Sequence, residues 1–129
     1  MDAFDTDVLI YAATKHHLGP AVRALVLSED ENVGSVLLIP ELTSKPISTG
    51  NEGELGALND LLARFTLLPC DLVVAELAAI VGATHGLKAA DAVHLATAVK
   101  AGADRFITNN KKDFPQTIEE IEIVYPDQL

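Results

Sequence analysis

The chain has 129 residues, room for one domain and little else, since single cores commonly span ~100 to 200 residues. Its 49% hydrophobic content excludes a disordered polymer, and nine Lys and Arg against nineteen Asp and Glu give a net charge of −10. That balance argues against a protein that grips nucleic acid mainly by counterion release, but not against one that gathers carboxylates around a cation. The single cysteine, Cys70, excludes an internal disulfide and a thiolate metal site, so a metal would be held by oxygen, and Cys70 is expected in the core.

In chain order, residues 3–5 read as a short strand running into a helix over 8–13, and a second helix follows over 18–28. Ala21, Ala24, Leu25 and Ser28 share one of its faces, and Glu29, Asp30, Glu31 and Asn32 mark a solvated exit. Residues 35–39 read as a buried strand, after which Pro40 suits the start of a helix with Glu41 in its first turn. Residues 43–53, with Pro46, Gly50 and Gly53 among Ser, Thr and Asn, read as a surface loop. An amphipathic helix is predicted over 54–65, a strand over 66–69, and Asp71 as the N-cap of a nearly all-apolar helix over 72–82. That helix must be buried or lie at a subunit contact. It is broken by Glu76 and falls short of the ~20 residues of a membrane span, and the N-terminus is acidic where a signal peptide is basic. A soluble cytoplasmic protein without membrane contact is the expectation. A helix over 88–101 and strands over 105–108 and 121–125 complete the chain.

Strands separated by helical crossovers predict an α/β fold, a mostly parallel central sheet covered by helices on both faces, in one domain over 1–129. In such sheets sites form beyond the carboxyl ends of the strands, and four acids, Asp5, Glu41, Asp91 and Asp113, fall at such junctions. Asp5 and Asp7 flank Thr6 directly after the first strand; one acid suffices as a helix cap, and Asp7 is well placed for it. Glu41 follows the second strand. Asp91 lies on the rim of the stripe formed by Ala92, Leu95, Ala96 and Val99, and Asp113 follows the strand over 105–108. Two carboxylates ~4 Å apart repel by about 4 kcal/mol at an effective dielectric of 20, so a cluster must hold protons or a cation. Hard ions such as Mg²⁺ or Mn²⁺ take oxygen ligands, and such a site can activate water against a phosphodiester.

These segments resemble the PIN domain, and within it the small VapC toxins of toxin-antitoxin pairs. Phe4-Asp5-Thr6-Asp7-Val8-Leu9-Ile10-Tyr11 resembles the family's apolar-Asp-Thr-Asn/Ser-x-Leu-Ile opening. Glu41 matches its mid-chain acid, Asp91 the acid of its Leu-x-x-x-Asp-Ala-x-His-Leu-Ala helix, and Thr108 to Phe114 its Thr-x-Asp/Asn-x-x-Asp/His-Phe segment. The resemblance implies a three-layer sandwich, a metal-dependent endoribonuclease acting on single-stranded RNA, a homodimer, and a cognate antitoxin. By that resemblance Asp5, Glu41, Asp91 and Asp113 would be the catalytic and metal-holding acids for Mg²⁺ or Mn²⁺. Thr6, Asp7, Thr108 and Asn110 would keep them aimed through hydrogen bonds, and Lys111 and Lys112 would contact RNA. Asn110 stands where many members carry the fourth acid, and Asp113 is expected to take that part, with Phe114 pinning the turn.

His94, one turn beyond Asp91, is read as a packing or supporting residue rather than a ligand, and His16-His17 as a solvated helix entry. Two alternatives accompany this reading. Asp5-x-Asp7 imitates the acid pair of haloacid-dehalogenase-like phosphotransferases, and Asn110 together with the net charge motivates a non-cleaving PIN-like module that binds a partner.

Overall fold

The structure, a computed structural model, describes residues 1–28 and 31–129. Five strands, β1 (Asp2–Phe4), β2 (Asn32–Ser35), β3 (Phe65–Leu68), β4 (Arg105–Ile107) and β5 (Glu122–Val124), form one sheet in the order β3-β2-β1-β4-β5. Every pairing in it is parallel. Six helices connect them: α1 (Thr6–Ala13), α2 (Gly19–Ser28), α3 (Leu38–Thr49), α4 (Glu52–Leu62), α5 (Leu72–His85) and α6 (Ala89–Lys100).

Because successive strand side chains point to opposite faces, β1, β4 and β5 each feed two cores. Ala3, Val33, Phe106 and Ile123 pack with Val74, Ala78 and Val81 of α5 and Ala92, Leu95 and Ala96 of α6. Phe4, Ile107 and Val124 pack with α1 to α4 through Val8, Leu9, Val22, Leu38, Leu42, Leu58 and Leu61. The result is the three-layer α/β sandwich expected from the alternation of strands and helices.

Two predicted elements differ. The second strand is not 35–39 but the polar, glycine-containing Asn32–Ser35, fully buried between β1 and β3. Asn32, expected at a solvated exit, is buried and donates from Nδ2 to the carbonyls of Val26 (3.0 Å) and Arg64 (3.2 Å). Glu29 and Asp30 lie outside the described residues. The apolar residues after Ser35 instead start α3, where Pro40 sits in the first turn and its missing N–H removes no helical bond.

Residues 43–49, expected in a loop, continue α3 through Pro46. Leu42 and Pro46 are both buried, and burial of that face offsets the one hydrogen bond proline removes. The helix stops at Gly50, whose φ of 67° is the left-handed conformation that favours glycine.

Asp71 caps α5 by accepting from the Val74 N–H at 2.9 Å. That helix runs three residues beyond the predicted end to His85, and it is covered on one side only. Leu72 is 74%, Val73 56% and Ile80 63% exposed. Cys70, expected in the core, is exposed in the turn before α5. Among the described residues no single helix is long and apolar enough to cross a membrane.

Candidate functional site

The strand order places β2 on one side of β1 and β4 on the other, so crossovers leaving β1 and β4 diverge and open a crevice at the carboxyl end of the sheet. Asp5 follows β1 immediately and is the N-cap of α1, accepting the Thr6 N–H at 2.8 Å through Oδ1. Its other oxygen, Oδ2, accepts the buried Thr108 hydroxyl at 2.8 Å, directly after β4. The cap expected of Asp7 therefore belongs to Asp5. Asp7 accepts the Val8 N–H at 2.8 Å instead, inside the first turn, where the helix dipole favours an acid.

Glu41 reaches the same place from the first turn of α3. Its Oε1 accepts the Thr6 hydroxyl at 3.0 Å and meets His94 Nε2 of α6. Asp91 lies one turn before His94, towards the start of α6. Asp113 comes from the turn after β4, where Asn110 Nδ2 donates to its Oδ2 at 3.0 Å and Asn110 Oδ1 accepts its N–H at 3.2 Å. Phe114 anchors that turn, fully buried, with its ring 5.0 Å from that of Phe106. Thr108 accepts the Asn110 N–H at 3.1 Å.

Electrostatics tie these groups together. Burial pushes the Asp91 carboxyl up, and the charges of Asp5 and Asp113 push it further, against a smaller opposing effect of His94. Burial likewise raises Asp5, opposed chiefly by its hydrogen bonds to Thr108 and Thr6. Asp7 is pushed up to about 6, by burial first and by the charge of Asp5 second. Among the described residues the lysine and arginine ion pairs go to Asp71, Asp2 and Asp127 rather than to these acids.

The donors are carboxylates with hydroxyl and amide support, which suits a hard divalent cation and no soft one. Among the described residues no three acids, histidines or cysteines are placed together so as to hold a metal ion. Mg²⁺ commonly binds through one or two carboxylates and keeps several waters, so it needs fewer protein ligands than such a group supplies. Asp5, Glu41, Asp91 and Asp113 are thus brought into one electrostatic neighbourhood, with Thr6, Asp7, Thr108 and Asn110 against them.

Lys111 and Lys112 are exposed on the turn beside the site; Lys111 Nζ lies 3.3 Å from Asp127 and 5.0 Å from the centre of the Tyr125 ring. Lys100 pairs with Asp71 and Arg105 with Asp2. His94, read from the sequence as a packing or supporting residue, is buried and bonded to Glu41. The signal was its position three residues after Asp91, which puts both on one helix face. His16 is half-buried and stacks on Tyr11, while His17, exposed as expected, stacks on His16.

Compared with known proteins, the sequence matches the family model described as PIN domain over residues 3–119. No curated protein matches it. Among solved structures it is similar to a toxin-antitoxin complex from Klebsiella pneumoniae, at 23% identity and TM-score 0.77 over 100% of both chains. It is similar to FitAcB from Neisseria gonorrhoeae at 23% identity and TM-score 0.76, again over 100% of both. VapBC2 from Rickettsia felis, bound to a DNA fragment from their promoter, aligns at 18% identity and TM-score 0.74 over 96% of this chain and 97% of that one. At these identities the likeness is one of fold.

Proposed function

The chain belongs to the PIN-domain family, and on that premise we propose that it is a divalent-metal-dependent endoribonuclease cleaving single-stranded regions of RNA. In this reading residues 1–129 act as one domain, the VapC-like toxin of a toxin-antitoxin pair, working in the cytoplasm as a homodimer held in check by its antitoxin. The similar structure from Klebsiella pneumoniae is a toxin-antitoxin complex, which supports the partner. The open face of α5, with Leu72, Val73 and Ile80 exposed, supports contact with another chain.

The observation that carries the reading is the hydrogen-bonded junction of Asp5, Thr6, Glu41 and His94 at the carboxyl end of the sheet, where the charges of Asp5 and Asp113 also raise the Asp91 carboxyl. Acids that disfavour one another's charge at the switch point of a parallel sheet are arranged for a cation. Asp5, Glu41, Asp91 and Asp113 would hold Mg²⁺ or Mn²⁺, which when bound would neutralise charge on the phosphodiester and activate water. Thr108 and Thr6 keep both oxygens of Asp5 occupied on their inner side, fixing the direction of that carboxylate. His94 and the Thr6 hydroxyl fix Glu41, and Asn110 fixes Asp113.

The test is incubation of the purified chain with single-stranded RNA, with and without Mg²⁺ or Mn²⁺, beside an Asp91→Asn control. Metal-dependent cleavage lost in the control is the expected result. An inactive wild-type chain that still binds a protein partner would favour the non-cleaving module, to which the net charge of −10 and the internally paired Lys100, Arg105 and Lys111 lend support. The haloacid-dehalogenase alternative falls with family membership, since Asp5 and Asp7 each accept a backbone N–H of α1 in a PIN domain.

A further inference from the structure

We propose that the stacked rings of Tyr11, His16 and His17 form a base-stacking platform for an unpaired nucleotide of single-stranded RNA beside the carboxylate site. The platform rests on the ribonuclease reading and says which part of the substrate this chain holds and how.

The placement of aromatic rings in the molecule is uneven. Phe4, Phe106 and Phe114 are buried, Tyr125 is buried with its hydroxyl on the Phe114 carbonyl, and Phe65 packs edge-on against Phe4 at 5.5 Å. Among the histidines, His94 is buried against Glu41 and His85 is paired with Glu120 at 2.7 Å. The remaining rings, Tyr11, His16 and His17, sit together at the turn between α1 and α2. Tyr11 and His16 are parallel within 11° at a centroid distance of 3.7 Å, and His17 continues the pile at 4.6 Å and 24°. Tyr11 and His16 are partly covered and His17 is exposed.

The backbone holds this pile in place. Gly19 lets α2 pass so close to α1 that a Cβ there would collide with the Tyr11 carbonyl oxygen. His16 Nδ1 accepts the Leu18 N–H at 3.1 Å, fixing the ring plane. The inner end of the pile is tied to the site, since the Tyr11 hydroxyl lies 3.4 Å from Asn109 Nδ2. Asn109 follows Thr108, which holds Asp5, and the Asn109 N–H lowers Asp7 through a hydrogen bond.

The charge distribution is what makes such a platform necessary. The site is acidic and repels a phosphate backbone, while Lys100, Arg105 and Lys111 are each paired with an acid of this chain. Stacking on an aromatic face needs no positive charge and is tolerant of sequence, because every base has a π-face. Lys15, exposed beside the rings and without an ion pair among the described residues, supplies a phosphate contact at the same place.

The experiment uses single-stranded RNA oligonucleotides carrying 2-aminopurine, whose fluorescence is quenched by stacking, together with matched oligonucleotides abasic at the same position. Binding is read in the full chain carrying Asp91→Asn, so that the RNA survives, and KM and kcat in the chain without it. His17→Ala should abolish the quench, weaken binding about tenfold and raise KM with kcat little changed, the fold remaining intact by circular dichroism. His17→Trp should restore binding while His17→Leu should not, and the abasic oligonucleotide should not distinguish wild type from His17→Ala. Equal binding by wild type and His17→Ala, or equal losses in His17→Trp and His17→Ala, would overturn the platform. With wild-type cleavage intact, either result leaves the ribonuclease reading standing. A wild-type chain that neither binds nor cuts any RNA in Mg²⁺ or Mn²⁺ would end both.

Discussion

His94 Nε2 of α6 is hydrogen-bonded to Glu41 Oε1 of α3, joining the two helical layers across the carboxyl end of the sheet. One partner is buried and the other is an acid at the edge of the crevice, so the bond both stabilises the fold and aims a candidate ligand. His94→Ala should lower unfolding free energy by about 2 kcal/mol, the range of a hydrogen bond to a charged group. It should also reduce cleavage about tenfold or more, as loss of an aiming partner does. Urea unfolding and a cleavage assay check this, and wild-type values in both would detach His94 from the site.

Mutual repulsion among Asp5, Asp91 and Asp113 predicts strong stabilisation by divalent metal. Binding to the folded state alone at 100 times its dissociation constant should add about 2.7 kcal/mol. Thermal melts with Mg²⁺ or Mn²⁺ should therefore shift upward, and Asp91→Asn should diminish the shift. A melting temperature indifferent to both ions would count heavily against a metal site.

Asp7 predicts a pH-dependent gain from losing a charge. Its folded pKa of about 6 lies above the ordinary 3.8, so its favourable contribution exists at low pH and is lost as pH rises through about 6. Asp7→Asn removes the charge and keeps an acceptor for the Val8 N–H. Each pKa unit corresponds to ~1.4 kcal/mol, discounted here because Asp7 is partly exposed to water. The variant should be more stable than the parent by about 1 kcal/mol near pH 7.5, with the gap closing near pH 4. Urea unfolding at both values is the measurement, and a constant gap would mean that the charge is not the cause.

The Asn110–Asp113 pair predicts a ranking. Asp113 contributes negative charge felt at Asp91, whereas Asn110 only holds Asp113 through two hydrogen bonds. Asp113→Asn should weaken metal binding and cleavage about tenfold, and Asn110→Ala by less. The reverse order in a metal titration would make Asn110 the functional group and Asp113 a loop cap.

For the lysines, the ion pair of Lys111 with Asp127 divides their expected effects. Each phosphate contact on a single strand contributes ~0.7 to the slope of log affinity against log salt. Lys111→Ala with Lys112→Ala should flatten that slope by about 0.7, from Lys112 alone, rather than by ~1.4. Binding isotherms at several salt concentrations read the slope directly, and no change would assign both side chains to solubility.

Much of the architecture was legible from local pattern. The apolar spacing of α4 and α6, the cap Asp71 and the acids at element junctions all act within a few residues of themselves, and the structure contains each near its predicted place. β2 was not legible, because Asn32, Gly34 and Ser35 have little strand preference of their own. They form a strand by pairing with β1 and β3 and by satisfying the Asn32 amide on Val26 and Arg64. α3 passes Pro46, which local signals mark as a break, because Leu42 and Pro46 are buried on a helix that packs against α1 and α4.

The candidate site divides in the same way. Asp5, Glu41, Asp91 and Asp113 could be picked out as acids at strand ends and helix starts. That Asp5 rather than Asp7 caps α1, that Thr108 holds Asp5 from 103 residues away, and that His94 meets Glu41 from 53 residues away were decided by tertiary structure. A carboxylate's type and neighbours are written in the chain. Its hydrogen-bond partner, and with it its charge at neutral pH, depends on which strands lie side by side.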